Sequence, residues 1–211
     1  MQFTVKLLSE SDITYQQIAD LQHAAFEERL KQGLRFTCSA MTAEQFEAKM
    51  KDGYVYLALN EDNNELLGTV TIHLYTDKSN VLYGYHEFLA VSPLAKHSGV
   101  GISLAQAWQK LLLEKGAKYV LSDTACGAIS SVKWHLKNGF KIIGLESYRS
   151  TNYWSYVFRR QLIPSKKWDN PLYCKWQYIK SWLFIKITRD INGKDTAVGR
   201  LYKRLKGKEI V

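Results

Sequence analysis

Phe88 to Gly116 reads FLAVSPLAKHSGVGISLAQAWQKLLLEKG. A strand over about Leu82–Val91 runs into this stretch and is stopped by Pro93, because proline lacks the N–H that a strand ladder needs. Beyond the loop, Leu104, Trp108, Leu111 and Leu112 recur at helical spacing, and Gly116 sits where a helix C-terminal glycine belongs. Between strand and helix lie Lys96, His97, Ser98, Gly99, Val100 and Gly101. The glycines let the backbone turn tightly and approach a ligand closely. The helix behind them offers unpaired N–H groups and the positive end of its dipole. Together with the Lys96 charge, this makes an anion site suited to a pyrophosphate. A plain strand-to-helix turn uses the same residues, so loop chemistry alone leaves both readings open.

Working outward, Gln2–Leu8 alternates as a strand. Ser11 or Asp12 caps a helix reaching about Gln32, and Thr42 with Gln45 opens a second helix ending near Gly53. Tyr54–Leu59 and Leu66–Tyr75 form a hairpin about the polar turn EDNNE. Downstream of Gly116 come a short strand at Tyr119–Ser122 and a helix at Ser130–Lys137 closed by Gly139. Two strands follow, Phe140–Leu145 and Tyr153–Phe158. The order β-α-α-β-β-β-α-β-α-β-β predicts an α/β fold, with a mixed central sheet and helices on both faces.

Two blocks carry a family resemblance. Leu89, Ala90, Val91 and Pro93, followed by Gly99 and Gly101, resemble the central motif of the GNAT superfamily of N-acetyltransferases. Lys96 stands where the family has Arg or Gln, which keeps the charge and loses the planar fork. SVKWHLKNGFKIIG resembles the family's second block through Gly139 and Phe140, with His135 in its Tyr position and Ala128 where an Asn often stands. The resemblance implies a sheet splayed between two parallel strands, Leu82–Val91 and Tyr119–Asp123, with acetyl-CoA as acyl donor in the splay. Backbone groups of Leu89, Ala90 and Val91 would pair with the pantetheine arm, and the Lys96–Gly101 loop would hold the pyrophosphate. Ser131, on the helix of the second block, is among the implied CoA contacts. The implied reaction is direct attack of a primary amine on the thioester, without a metal and without an enzyme-bound intermediate.

An amine with a pKa of roughly 10.4 arrives as an ammonium ion and must lose a proton before it attacks. Tyr85, Glu87 and Leu89 lie at spacing two, which predicts one shared strand face. Several GNAT enzymes carry the base two or four residues before that Leu, so Glu87 is the base candidate, and His86 points the other way. His135 is the first candidate for the acid that protonates the leaving thiolate, and Tyr85 the second. Glu87 read as a structural ion pair and His135 read as a surface histidine remain the alternatives. Asp123 and Thr124 read as a strand end, and nothing pairs Cys126 with an activating base. On the acceptor side, Glu27, Glu28 and Arg35 read singly as solvated helix positions. Tyr148, Arg149, Asn152 and Tyr153 are pocket-wall candidates.

The 211 residues are 46% hydrophobic and 23% charged, ordinary for a globular protein. No apolar run is long enough for a spanning helix, the N-terminus does not read as a signal peptide, and three widely spaced cysteines fit a reducing cytoplasm. The net charge of +9 is lopsided: residues 163–211 hold 12 Lys/Arg against 4 Asp/Glu. We therefore expect a catalytic domain over 1–162 and a basic helical extension over 163–211. In the extension, Leu172, Trp176, Ile179, Leu183 and Ile187 form one stripe. Such a stripe packs on its own core or on a partner subunit, as in a homodimer, or lies on a membrane surface through 172–187. No nucleic-acid-binding module is recognisable, and no nucleic-acid partner is expected. Two alternatives stand beside a cytoplasmic enzyme for a small amine. One is a non-catalytic acyl-CoA sensor; the other is an acyltransferase for a membrane-linked glycan amine, peripheral to the membrane.

Overall fold

The structure, a computed structural model, describes residues 2–206, so the last five residues of the basic extension lie outside the described residues. The chain folds as two compact units. Among the described residues, the first comprises 2–32 and 36–121, the second 33–35 and 122–206. Seven strands make a mixed sheet with one parallel pair.

The first unit holds β1 (Phe3–Leu7), α1 (Tyr15–Lys31), α2 (Ala43–Met50), β2 (Tyr54–Asn60), β3 (Leu66–Thr76), β4 (Leu82–Val91) and α3 (Val100–Glu114), then the first residues of β5 (Tyr119–Ala125). Its strand order is β1-β2-β3-β4-β5, and the pairs from β1 to β4 are antiparallel. Both long helices of its first half begin with a reciprocal cap. In α1 the Thr14 hydroxyl accepts from Gln17 N–H, while the Gln17 side chain accepts from Thr14 N–H at 2.9 Å. This Thr-x-x-Gln box starts the helix at Tyr15, three residues later than a cap at Ser11 requires and two later than one at Asp12. Thr42 and Gln45 form the same box on α2, where the sequence places it.

Helices cover both faces of β3, and the alternation expected of a half-exposed strand is lost: Leu66 to His73 are all buried. On one face Ile18, Leu21, Phe46, Met50, Leu57 and Leu59 close a core beneath α1 and α2. On the other, α3 presses Leu104, Trp108 and Leu112 onto the strands, all fully buried. Burying a side chain of Trp108's size is worth about 3 kcal/mol. Two glycines set how closely α3 approaches. A Cβ at Gly68 would stand 2.6 Å from Val100, and one at Gly84 2.6 Å from Leu112.

The second unit holds the rest of β5, α4 (Ile129–Lys137), β6 (Lys141–Ser147), β7 (Trp154–Gln161), α5 (Pro171–Thr188) and α6 (Ala197–Lys206). Its strand order is β5-β7-β6, with β6 and β7 antiparallel. The basic extension belongs to this unit. Its helix α5 packs along β6, where the Ser181 hydroxyl donates to the Leu145 carbonyl at 3.0 Å and accepts from the Leu145 N–H at 2.9 Å. Helix α6 meets the end of α5 through Gly199, whose missing side chain leaves room for the Thr188 carbonyl. Asn152 ties residues 33–35 into the unit by donating to Gly33 O at 2.8 Å and accepting from Arg35 N at 2.9 Å.

Candidate active site

The loop that decides the fold is wound into an open cradle. A short 3-10 turn, Pro93–Ala95, follows β4, and the Ala95 carbonyl accepts from both the N–H and the hydroxyl of Ser98. His97 and Gly99 then take left-handed backbone angles, φ 66° and 92°. Only glycine adopts that conformation without steric cost, so Gly99 is demanded by the turn itself. The Gly99 carbonyl accepts from Ile102 and Ser103, so the N–H groups of Val100 and Gly101 lie ahead of the α3 ladder. No side chain caps α3 at Gly99, and no heavy atom stands within 4 Å of where a Gly99 Cβ would project. Lys96, His97 and Ser98 are exposed around it. An uncapped helix start in open space, beside a cation, has the chemistry to hold a phosphate group.

Strand β4 carries a bulge next to the base candidate. Glu87 pairs with Thr71 and Ala90 with Thr69, so Phe88 and Leu89 together face Val70, and Phe88 has a φ of 51°. Before the bulge, Gly84 and His86 face α3, His86 lying 5.6 Å from the Trp108 ring. After it, Phe88 and Ala90 join the core under α1 and α2. Glu87 and Phe88 thus lie on one side, and Leu89 falls on the face opposite Glu87. The shared face expected for Tyr85, Glu87 and Leu89 holds for the first two only, because a bulge inverts the alternation beyond it. Gln22 of α1 holds the bulge: its Nε2 donates to the Phe88 carbonyl at 2.6 Å.

The Glu87 carboxylate is half-buried, with Oε2 3.5 Å from Nδ1 of His73 on β3. His73 is buried and pairs across the strands with Tyr85. Burial holds its pKa below the ordinary imidazole value, against an opposing pull from Asp52, so the ring is neutral at pH 7. Its Nε2 is packed against Gly53, where a Cβ would come within 2.6 Å, and has no hydrogen-bond partner. The proton therefore belongs on Nδ1, directed at Glu87. Tyr75 leans edge-on toward both His73 and Tyr85. Sequence reasoning missed His73. The available signal was a histidine set in the hairpin opposite Tyr85, among otherwise apolar or threonine positions.

His135, in the second unit, is 3% exposed and has both ring nitrogens engaged. Nδ1 lies 2.8 Å from the Ser131 carbonyl and Nε2 3.0 Å from the Ser122 hydroxyl. A carbonyl only accepts, so Nδ1 carries the proton and Nε2 receives the Ser122 O–H. The ring stacks on Phe158 at 4.5 Å, and burial pushes its pKa down to about 4. This differs from both sequence readings: His135 is neither a surface residue nor an imidazolium at neutral pH. Ser131 meets His135 through its main chain.

Residues 15–140, more than half of the chain, match the Acetyltransferase (GNAT) family. The chain belongs to the GNAT acetyltransferase family. No curated protein matches the sequence. Among solved structures, the GNAT fold recurs in a GNAT acetyltransferase from Elizabethkingia anophelis with acetyl-CoA bound, at 16% identity and a TM-score of 0.55 over 75% of this chain and 97% of that one. A GNAT acetyltransferase from Staphylococcus aureus Mu50 aligns at 13% identity and a TM-score of 0.57, over 76% and 99%. The ribosomal-protein-S18-alanine N-acetyltransferase from Escherichia coli aligns at 12% and 0.56, over 79% and 97%. These identities establish a shared fold.

Other groups of this GNAT chain have structural partners. Burial raises the Cys126 thiol to about 11 and Cys38 to about 12, which keeps both protonated and removes a thiolate nucleophile. Glu27 pairs with Lys31 at 2.9 Å and Glu28 accepts from Gln32, as expected of a solvated helix face. Asn152 is spent on the backbone of residues 33–35, and Tyr153 is buried. Among the described residues no group of three His, Cys, Asp or Glu is placed to hold a metal ion.

Proposed function

We propose that this protein transfers an acetyl group from acetyl-CoA to a primary amine on a small molecule. The observation that carries the reading is the uncapped start of α3 at Gly99, open and flanked by Lys96, on the same unit as the Glu87–His73 pair. Family membership and the acetyl-CoA of the Elizabethkingia protein support it. N–H groups of Val100 and Gly101, with Lys96, would hold the diphosphate. Main-chain groups of Leu89, Ala90 and Val91 would align the pantetheine arm.

Glu87 takes a proton from the ammonium, freeing the nitrogen lone pair to attack the thioester carbon. The new C–N bond forms as the C–S bond breaks; the thiolate takes a proton from the Tyr85 hydroxyl, and the tyrosinate takes up the second proton that the amide nitrogen sheds, so Tyr85 ends as it began. His73 orients the carboxylate through its Nδ1–H. The engaged, neutral His135 supports the packing of α4, which leaves the acid role to Tyr85. The free Cys38, Cys126 and Cys174 fit work in a reducing cytoplasm.

The test is released thiol over a panel of amines, beside calorimetric titration with CoA. Turnover that falls by about 10²–10⁴ in Glu87→Gln, with CoA affinity unchanged, supports the reading. Tight CoA binding with no turnover on any amine favours an acyl-CoA sensor instead.

A further inference from the structure

The apolar stripe on α5 faces outward. Leu172, Trp176, Ile179, Leu183 and Ile187 are 36–76% exposed, while Cys174, Ile185 and Thr188 are buried on the opposite side. Of the covers the sequence leaves open for this stripe, the chain's own core is thus not the one. Helix α6 continues the pattern with Val198, Leu201 and Leu205 exposed, and meets α5 where the Tyr202 ring stands edge-on to Phe184. So many exposed apolar side chains on two touching helices need a cover.

The charges around it indicate which cover. At 100° per residue, Lys175 falls on one flank of the stripe and Lys180 on the other, and both are exposed, while Lys186, on the Lys175 flank, has its ammonium 3.9 Å from the centre of the Trp154 ring. Neither α5 nor α6 contains an acidic residue, whereas α6 adds exposed Arg200 and Arg204. A second copy docked by a two-fold axis would bring its cations among those of the first with no acidic residue on either helix to answer them, which disfavours a homodimer through this face. Nucleic acid would answer the charge and leave the leucines and isoleucines uncovered. Apolar side chains between flanking lysines, with Trp176 and Trp182 beside them, match the boundary of an anionic bilayer: hydrocarbon below, tryptophan at headgroup depth, ammonium groups reaching the phosphates. No helix among the described residues is long and apolar enough to cross a membrane. We propose that α5 and α6 lay this protein flat on an anionic phospholipid surface.

This proposal stands or falls apart from the acetyl-transfer reading, since it involves different residues and a different readout. The test is flotation of the full chain with vesicles of phosphatidylcholine alone or with a third phosphatidylglycerol. The native protein should float with the anionic vesicles only, with a blue-shifted tryptophan emission quenched by brominated acyl chains. Lys175→Gln with Lys180→Gln should weaken binding by roughly twenty-five-fold, about fivefold per lysine. Leu183→Gln with Ile187→Gln should abolish it while CoA binding and the thermal transition persist. Absence of native protein from anionic vesicles overturns the proposal, and that experiment needs no variant. So does a concentration-dependent dimer, or oligonucleotide binding, that holds the face while vesicles do not.

Discussion

Nδ1 of buried His73 stands 3.5 Å from Oε2 of Glu87, across the β3–β4 pairing. That spacing is longer than a full hydrogen bond and short enough to aim the carboxylate. His73→Phe should lower kcat by about 10- to 100-fold, leave KM for acetyl-CoA unchanged and move the acid limb of the kcat–pH profile. His73→Asn, whose amide still donates, should recover part of the loss. An unchanged acid limb in His73→Phe would remove the orienting role.

The bulge makes a second claim. Gln22 is fully buried, donates to Phe88 O and has its own Oε1 unsatisfied. Gln22→Ala should cost about 2 kcal/mol in urea unfolding, because the Phe88 carbonyl loses a buried donor. It should also lower kcat, since the strand distortion beside Glu87 is no longer pinned.

The proposed phosphate cradle separates affinity from chemistry. Gly99→Ala forces a side chain into φ 92°, which costs about 1 kcal/mol or more in loop strain. Lys96→Ala removes the loop's cation. Each should raise Kd for CoA by about tenfold in calorimetry with little change in kcat at saturating donor.

His135 predicts how stability changes with acid. Its folded pKa is depressed, so the unfolded chain binds the proton first as pH falls below about 6.5. The stability it contributes is whole above that value and is lost as pH drops toward about 4. The loss amounts to about 3 kcal/mol. Denaturant titrations between pH 7 and 4 should show this slope, and His135→Gln should flatten it.

What the sequence disclosed follows its physics. The Lys96–Gly101 turn was legible because glycine conformation and helix ends are local properties. The capping box of Thr14 and Gln17 was equally local, but Ser11 and Asp12 came first and drew the helix start forward. The bulge at Phe88 was not legible, since it exists only in the register between two strands, and Leu89 changed face with it. His73 was hidden for the same reason: its link to Glu87 crosses a hairpin. On α5 the period was legible and the direction was not. Both sides of that helix are apolar enough to be core, and only packing on β6 decides that Cys174 and Ile185 go in.

The Ser181 hydroxyl occupies both main-chain groups of Leu145, on the outermost strand of the sheet. It acts as a selvedge on the weave. Shortening the gene to end after residue 162 would therefore yield no tidy catalytic fragment, but a molecule with a raw rim ready to zip onto its neighbours.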